Sequence, residues 1–173
     1  MGFAEILNPK TIITHLKVNS KAEVLNALAE MFAAAEVIHD KEKYINAVYD
    51  REGMGATGIG NYIAIPHGKS TAVITPGVAI AVLDREIEWE SLDGSGAKVI
   101  ILFAVGADQE AAGEHLKLLT MFSKRLGDNT VVSRLIGADT VDDVLRAFTD
   151  ETPVVEETSE EEAELNLDEL SIV

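Results

Sequence analysis

"KVIILFAV", residues Lys98 to Val105, is apolar at every position after its lysine. A strand with one wet face alternates, so an unbroken run of this kind reads as a strand covered on both faces. "GVAIAVLD" (Gly77 to Asp84) reads the same way. Two such runs imply a sheet lying between layers of helix. Both are far shorter than the roughly 20 residues of a membrane span. "MGFAEILNPK", at the start, has no basic region followed by an apolar stretch. The expectation is a cytoplasmic protein with no direct membrane insertion.

Helices should flank these strands. After a short strand, "TIITHLKV" (Thr11 to Val18), Ser20 and Glu23 have the spacing of a capping box, and Leu25, Leu28, Ala29 and Phe32 follow helical spacing to about Ala35. Asp40 caps a second helix that runs to Arg51 and Glu52. "GMGATGIG" (Gly53 to Gly60) cannot continue it and reads as a loop, followed by a short strand, "NYIAIP", ending at Pro66. "REIEWESLDGSG" reads as a turn carrying the only tryptophan. A third helix spans about Ala111 to Leu126 before Gly127, and two shorter ones lie near Thr130 to Ile136 and Thr140 to Phe148.

A chain of 173 residues suits one domain with a real core. It has no cysteine, which excludes disulfides, thiolate metal sites and a catalytic thiol. Its formal charge of −16 is unevenly spread, since ten of the 30 acids and none of the 14 bases lie from Asp150 onward. The body is then only near −6. That disfavours nucleic-acid binding. The expected division is a folded domain over 1–149 and an acidic linker or disordered tail over 150–173.

Gly53, Gly55 and Gly58 spell GxGxxG. A dinucleotide fingerprint follows a strand and opens a helix, whereas here a helix precedes and a strand follows, so that reading fails by context. The alternatives are a loop whose bare N–H groups approach an anion, with Thr57 adding a hydroxyl donor, and a loop that merely needs positive φ. Thr57, Gly58 and Gly60, with Lys69, form the candidate phosphate loop. Among the four histidines, His15 and His39 read as structural or solvated, and the spacing fits no metal site. His67 stands out because Pro66 restricts the backbone before it and Gly68 removes bulk after it, at a strand end where open sheets place their sites. His115, early in the helix after the central strand, and Arg51 come to the same edge. Two imidazoles with one or two cations suit a phosphoryl group better than acyl transfer, which would want a Ser or Cys nucleophile with an oriented base.

"SKAEVLNALAEMF", "DREGMGATGIGNYIAIPHGKS", "SLDGSGAKVIILFAV", "EHLKLLTMFSKRL" and "TVDDVLRAF" resemble, in order and spacing, the enzyme IIA domain of the fructose/mannitol class of the bacterial sugar phosphotransferase system. The resemblance covers about residues 5 to 149. It implies an α/β single-domain sandwich, a mixed β-sheet flanked by helices on both faces. It also implies a phosphotransferase component: a histidine accepts a phosphoryl group from the carrier protein HPr and passes it to a cysteine of a IIB domain, without metal or cofactor. By position the phosphorylated residue would be His67, with His115 and Arg51 as its active-site companions. Where the family has a polar or charged residue or two, this chain has Gly53, Met54 and Gly55.

The chemistry fits. Neutral imidazole is a nucleophile near pH 7, and phosphorylated nitrogen is a good leaving group. Transfer at Nε2, as the resemblance implies, would leave Nδ1–H held by a backbone carbonyl. A cation 4 Å from one phosphoryl charge is worth roughly 4 kcal/mol at an effective dielectric near 20. Fructose is the favoured sugar. The rival readings are a nitrogen-type regulatory IIA protein, which would normally stop near Phe148 where this chain runs on into a linker, and a non-enzymatic anion-sensing or docking module.

Overall fold

The computed structural model describes residues 2–150. The acidic-tail expectation from Glu151 onward lies outside the described residues. The element order is α1 (Phe3–Ile6), a 3-10 turn (Pro9–Thr11), β1 (Ile12–Leu16), α2 (Lys21–Ala34), α3 (Lys41–Glu52), β2 (Gly58–Gly60), β3 (Ile63–Ala64), β4 (His67–Lys69), β5 (Gly77–Ile87), β6 (Ala97–Val105), α4 (Gln109–Leu126), α5 (Asn129–Ile136) and α6 (Val141–Thr149).

The two unbroken apolar runs are the centre of the sheet. β5 and β6 pair antiparallel with Ala79 opposite Leu102 and Ile80 opposite Ile101. β1 lies parallel to β5, and β3 and β4 lie parallel to β6, so the sheet is mixed. Its main path is β1-β5-β6-β3-β2, with β4 on β6. Side chains alternate across this sheet. Ala79, Ala81, Ile100, Leu102 and Ala104 pack toward Leu25, Leu28, Phe32 and Tyr44 of α2 and α3. Val78, Ile80, Val99, Ile101 and Phe103 pack toward Phe122, Val131, Leu135 and Phe148 of the C-terminal helices. Both faces are dry, which is why neither strand could alternate.

Helix starts follow the sequence closely. The Ser20 hydroxyl accepts from Glu23 N, the Asp40 carboxylate from Lys43 N, and Thr140 with Asp143 completes a reciprocal capping box. Several expectations need correction. The stretch Gly53 to Gly60 is not loop throughout, because Gly58–Gly60 pairs with β3 and Gly58 bridges Ser91. β5 runs on to Ile87. The amino-terminal Phe3, unassigned from sequence, packs its ring 5.1 Å from that of Phe122 and 5.3 Å from that of Phe148.

The last correction concerns the site. The strand before His67 does not simply end at Pro66; it breaks at Ile65 and Pro66 and resumes as β4, with His67 opposite Phe103 and Lys69 opposite Val105. Gly68 explains the second half. A Cβ there would lie 2.7 Å from Val48 Cγ2 and 2.8 Å from Tyr44 Cε1, so α3 sits directly on this strand. Tyr44 tightens the contact by donating its hydroxyl to Phe103 O at 2.7 Å. With Gly68 facing α3, strand alternation turns His67 and Lys69 toward the opposite side, where α4 lies. Gly68→Ala is therefore expected to lower stability by about 1–3 kcal/mol through overpacking, read from urea denaturation.

Candidate active site

His67 and His115 meet across the gap between β4 and α4, with ring centroids 4.9 Å apart. Phe103, the register partner of His67, lies beneath His115 with ring centroids 5.4 Å apart in an edge arrangement. α4 is aimed at this edge by its own cap, the Asp108 carboxylate accepting from Ala111 N at 2.7 Å. Arg51, in the last turn of α3, donates from Nη1 to Gly55 O at 3.1 Å and so ties down the loop that follows. Its charge reaches His67 and is one of the forces on that ring.

Burial first, then the neighbouring His115 and the Arg51 charge, push the His67 imidazole down to about 4, against a small opposing effect of the Ile65 carbonyl. His115 is also lowered, by burial. Near pH 7 both rings are neutral, and His67 has a free lone pair. Nδ1 of each ring is buried with no hydrogen-bond partner among the described residues. Burial of Nδ1 leaves Nε2 as the nitrogen of His67 open to a reactant. The resemblance implies a backbone carbonyl beside the ring, and the Ile65 carbonyl acts on His67; the packing of Gly68 on α3 and the tilted His115 ring also set the position of the ring.

This depression has a pH signature. Folded His67 titrates near 4 while its ordinary value is 6.5, so as pH falls the unfolded chain takes up the proton first. The stability tied to this group is complete above about pH 6.5, declines below it and is lost as pH nears 4. Proton NMR of the imidazole should place its midpoint well below pH 5, and a midpoint near 6.5 would contradict the burial argument.

The proposed phosphate loop is only partly where the sequence put it. Thr57 is buried, at 3% exposure, with its hydroxyl donated to Glu52 Oε2 at 2.7 Å and accepting from Trp89 Nε1 at 2.8 Å. It does not face an anion. Gly58 donates its N–H to Glu90 O at 2.9 Å, and a Cβ there would lie 2.5 Å from Ser91 Cβ, so this glycine permits close packing. Gly60 has φ +94°, and a Cβ there would lie 3.0 Å from Asp93 Oδ2. A carboxylate beside it repels an anion. Lys69 is exposed, two residues beyond His67 on the same side of β4. The structure thus gathers His67, His115 and Arg51, and assigns Thr57, Gly58 and Gly60 to the internal packing of the loop.

The remaining histidines lie elsewhere. His15 bridges Asp84 at 3.0 Å and Asp139 at 3.2 Å, and His39 Nε2 lies 3.2 Å from Thr71 O. Among the described residues no group of three or more His, Cys, Asp or Glu could hold a metal ion, and no helix is long and apolar enough to cross a membrane. Sequence reading missed Glu52, Lys21 and Trp89, which surround Thr57. The available signals were the acid directly after Arg51 and the single tryptophan.

A neutral, half-buried imidazole near a second imidazole and under a guanidinium charge is chemically able to act as a nucleophile toward a phosphoryl group. The family model for the phosphoenolpyruvate-dependent sugar phosphotransferase system, EIIA 2, matches residues 5–151. The chain belongs to that family.

The chain is 31% identical over 150 residues to the PTS system 2-O-alpha-mannosyl-D-glycerate-specific EIIABC component of Escherichia coli K12, covering 87% of this chain and 23% of that protein. It is also 31% identical over 151 residues to the nitrogen regulatory protein of the same organism, covering 87% of this chain and 91% of that one. It therefore spans about a quarter of the first relative and nearly all of the second. Among solved structures, IIA mannitol from Escherichia coli superposes with a TM-score of 0.70 at 26% identity, covering 83% of this chain and 99% of that one. Nitrogen regulatory protein IIA-Ntr from Neisseria meningitidis superposes with a TM-score of 0.77 at 23% identity, covering 84% and 97%, a likeness of fold. Domains of this family are phosphotransfer components.

Proposed function

We propose that this IIA domain is a phosphohistidine carrier: Nε2 of His67 accepts a phosphoryl group from phosphorylated HPr and yields it to a cysteine of a IIB domain, in the service of sugar uptake, with fructose the favoured sugar. The observation that carries the reading is the neutral His67 ring, turned toward His115 and under the influence of Arg51. In the forward step the Nε2 lone pair forms the new N–P bond as the donor's N–P bond breaks, and the proton on Nδ1 stays in place. The guanidinium of Arg51 offsets the charge of the arriving group, and His115 can donate to a phosphoryl oxygen. Structural support for a IIB acceptor comes from a relative, the complex of enzyme IIAMTL with phosphorylated enzyme IIBMTL from Escherichia coli.

Mixing the chain with phosphorylated HPr is expected to give an acid-labile, base-stable adduct of about 80 Da, one phosphoryl group, mapped to the peptide containing His67. No adduct would leave the docking-module reading. A second reading is favoured by the near-complete coverage of the nitrogen regulatory protein: the phosphorylated domain acts by binding other proteins. Phosphoryl passage to a fructose-class IIB cysteine supports uptake, and an adduct stable to that acceptor supports regulation.

A further inference from the structure

Behind Arg51 lies a buried polar chain that the transfer step leaves unused. Trp89 Nε1–H donates to the Thr57 hydroxyl at 2.8 Å, and that hydroxyl donates to Glu52 Oε2 at 2.7 Å. The other oxygen of Glu52 accepts from Lys21 Nζ at 2.6 Å, with the Glu52 side chain only 7% exposed. Lys21 also pairs with Glu90, and its ammonium lies 4.5 Å from the centroid of the Trp89 ring. The chain thereby joins the start of α2, the end of α3, the residue before β2 and the connection after β5. Every donor in it has an acceptor, and the carboxylate has its cation.

Its position gives it a task. Glu52 follows Arg51 directly, and Thr57 immediately precedes β2, so the Glu52 to Thr57 bond closes the base of the loop 53–56. Arg51 closes the same loop from the other side through Gly55 O. Two residues of the loop, Met54 and Gly55, pack on little: a Cβ at Gly55 would meet nothing within 4 Å, and Met54 is 80% exposed. Backbone bonds from Gly53 N to Tyr49 O and from Met54 N to Arg51 O close the last turn of α3, so the bond at the base of the loop bears on the Gly55 carbonyl that receives the guanidinium.

We infer that the Trp89–Thr57–Glu52 hydrogen-bond chain, locked by Lys21, is a positioning device that fixes the Arg51 guanidinium on Gly55 O, where its charge reaches His67. Thr57 and Glu52 are positioning residues that act through Arg51 without touching the phosphoryl group. The inference rests on the carrier reading for its kinetic arm alone.

Thr57→Val keeps the volume and removes both hydrogen bonds, and Thr57→Ser keeps them. In single-turnover transfer from phosphorylated HPr to the full chain, Thr57→Val should slow the step at saturating donor by about 10–100-fold with half-saturation changed less than about twofold. Thr57→Ser should restore the rate to within about threefold. Adding Thr57→Val to Arg51→Ala should cost nothing more, because the device acts through the guanidinium. Losses that multiply, a serine that fails to rescue, or an unchanged rate in Thr57→Val would each overturn the inference.

The second arm needs no donor. Because the Arg51 charge helps hold His67 low, NMR titration should show the His67 midpoint moving upward in Thr57→Val, in the same direction as in Arg51→Ala, and returning in Thr57→Ser. An unmoved midpoint in Thr57→Val overturns the positioning role whether or not the wild-type chain accepts phosphate. Failure of wild-type transfer with a moved midpoint overturns the carrier reading and supports the device.

Discussion

Replacing His67 by alanine is expected to abolish phosphoryl acceptance, with no adduct detectable by mass spectrometry after exposure to phosphorylated HPr. The size of the effect follows from the carrier reading: the chain has no cysteine to substitute, and the new N–P bond is assigned to His67 alone. The fold should survive, since the half-buried ring contributes no hydrogen bond through Nδ1. The variant should also lose part of the acid sensitivity of the wild type. Wild-type His67 must stay neutral to about pH 4 inside the fold, which penalises folding progressively below pH 6.5. The fall in melting temperature between pH 7 and pH 5 should accordingly be smaller in His67→Ala. An adduct on the variant would place the acceptor on another residue.

Arg51→Ala carries the second large effect. The guanidinium makes one hydrogen bond to the loop and projects its charge onto His67. In the ground state that charge slightly disfavours protonation of the ring. When the phosphoryl group arrives, with nearly two negative charges, it becomes a stabilising partner. Loss of one such contact typically lowers the chemical rate by about 10²–10³-fold. The melting temperature should move by only a few degrees, as one partly exposed hydrogen bond is worth about 1 kcal/mol. Single-turnover transfer with parallel thermal melts separates the two. A large loss of stability with normal transfer by the surviving fold would contradict the assignment.

The site was legible in part because one-dimensional constraints reached it. His67 is framed by Pro66 and Gly68, and His115 sits early in a helix with a clear stop at Gly127. The roles of the loop residues are not legible because the loop's glycines look alike in sequence. Gly58 is small to let the segment at Glu90 and Ser91 approach, and Gly60 adopts φ +94° beside Asp93. These are contacts between positions some thirty residues apart, and local pattern carries no trace of them. A hydroxyl among glycines can serve an anion, which makes Thr57 a candidate in sequence. Its commitment to Glu52 and Trp89 depends on where the connection after β5 folds back.

By itself the sequence determined the layered architecture. Apolar runs at 77–84 and 98–105 have no wet face, and capped helices surround them, so the sheet had to be covered twice. For the chemistry it narrowed the field to imidazoles, carboxylates and hydroxyls, since there is no cysteine, and the resemblance to the IIA family pointed to His67. Only the tertiary structure decided how that imidazole behaves. The packing of Gly68 on Tyr44 and Val48 sends the ring toward α4, burial there lowers it to about 4, and the fold brings the His115 ring and the Arg51 charge to bear on it. The reason is physical: patterning encodes which faces are dry, while desolvation and charge proximity exist only once distant segments share one volume.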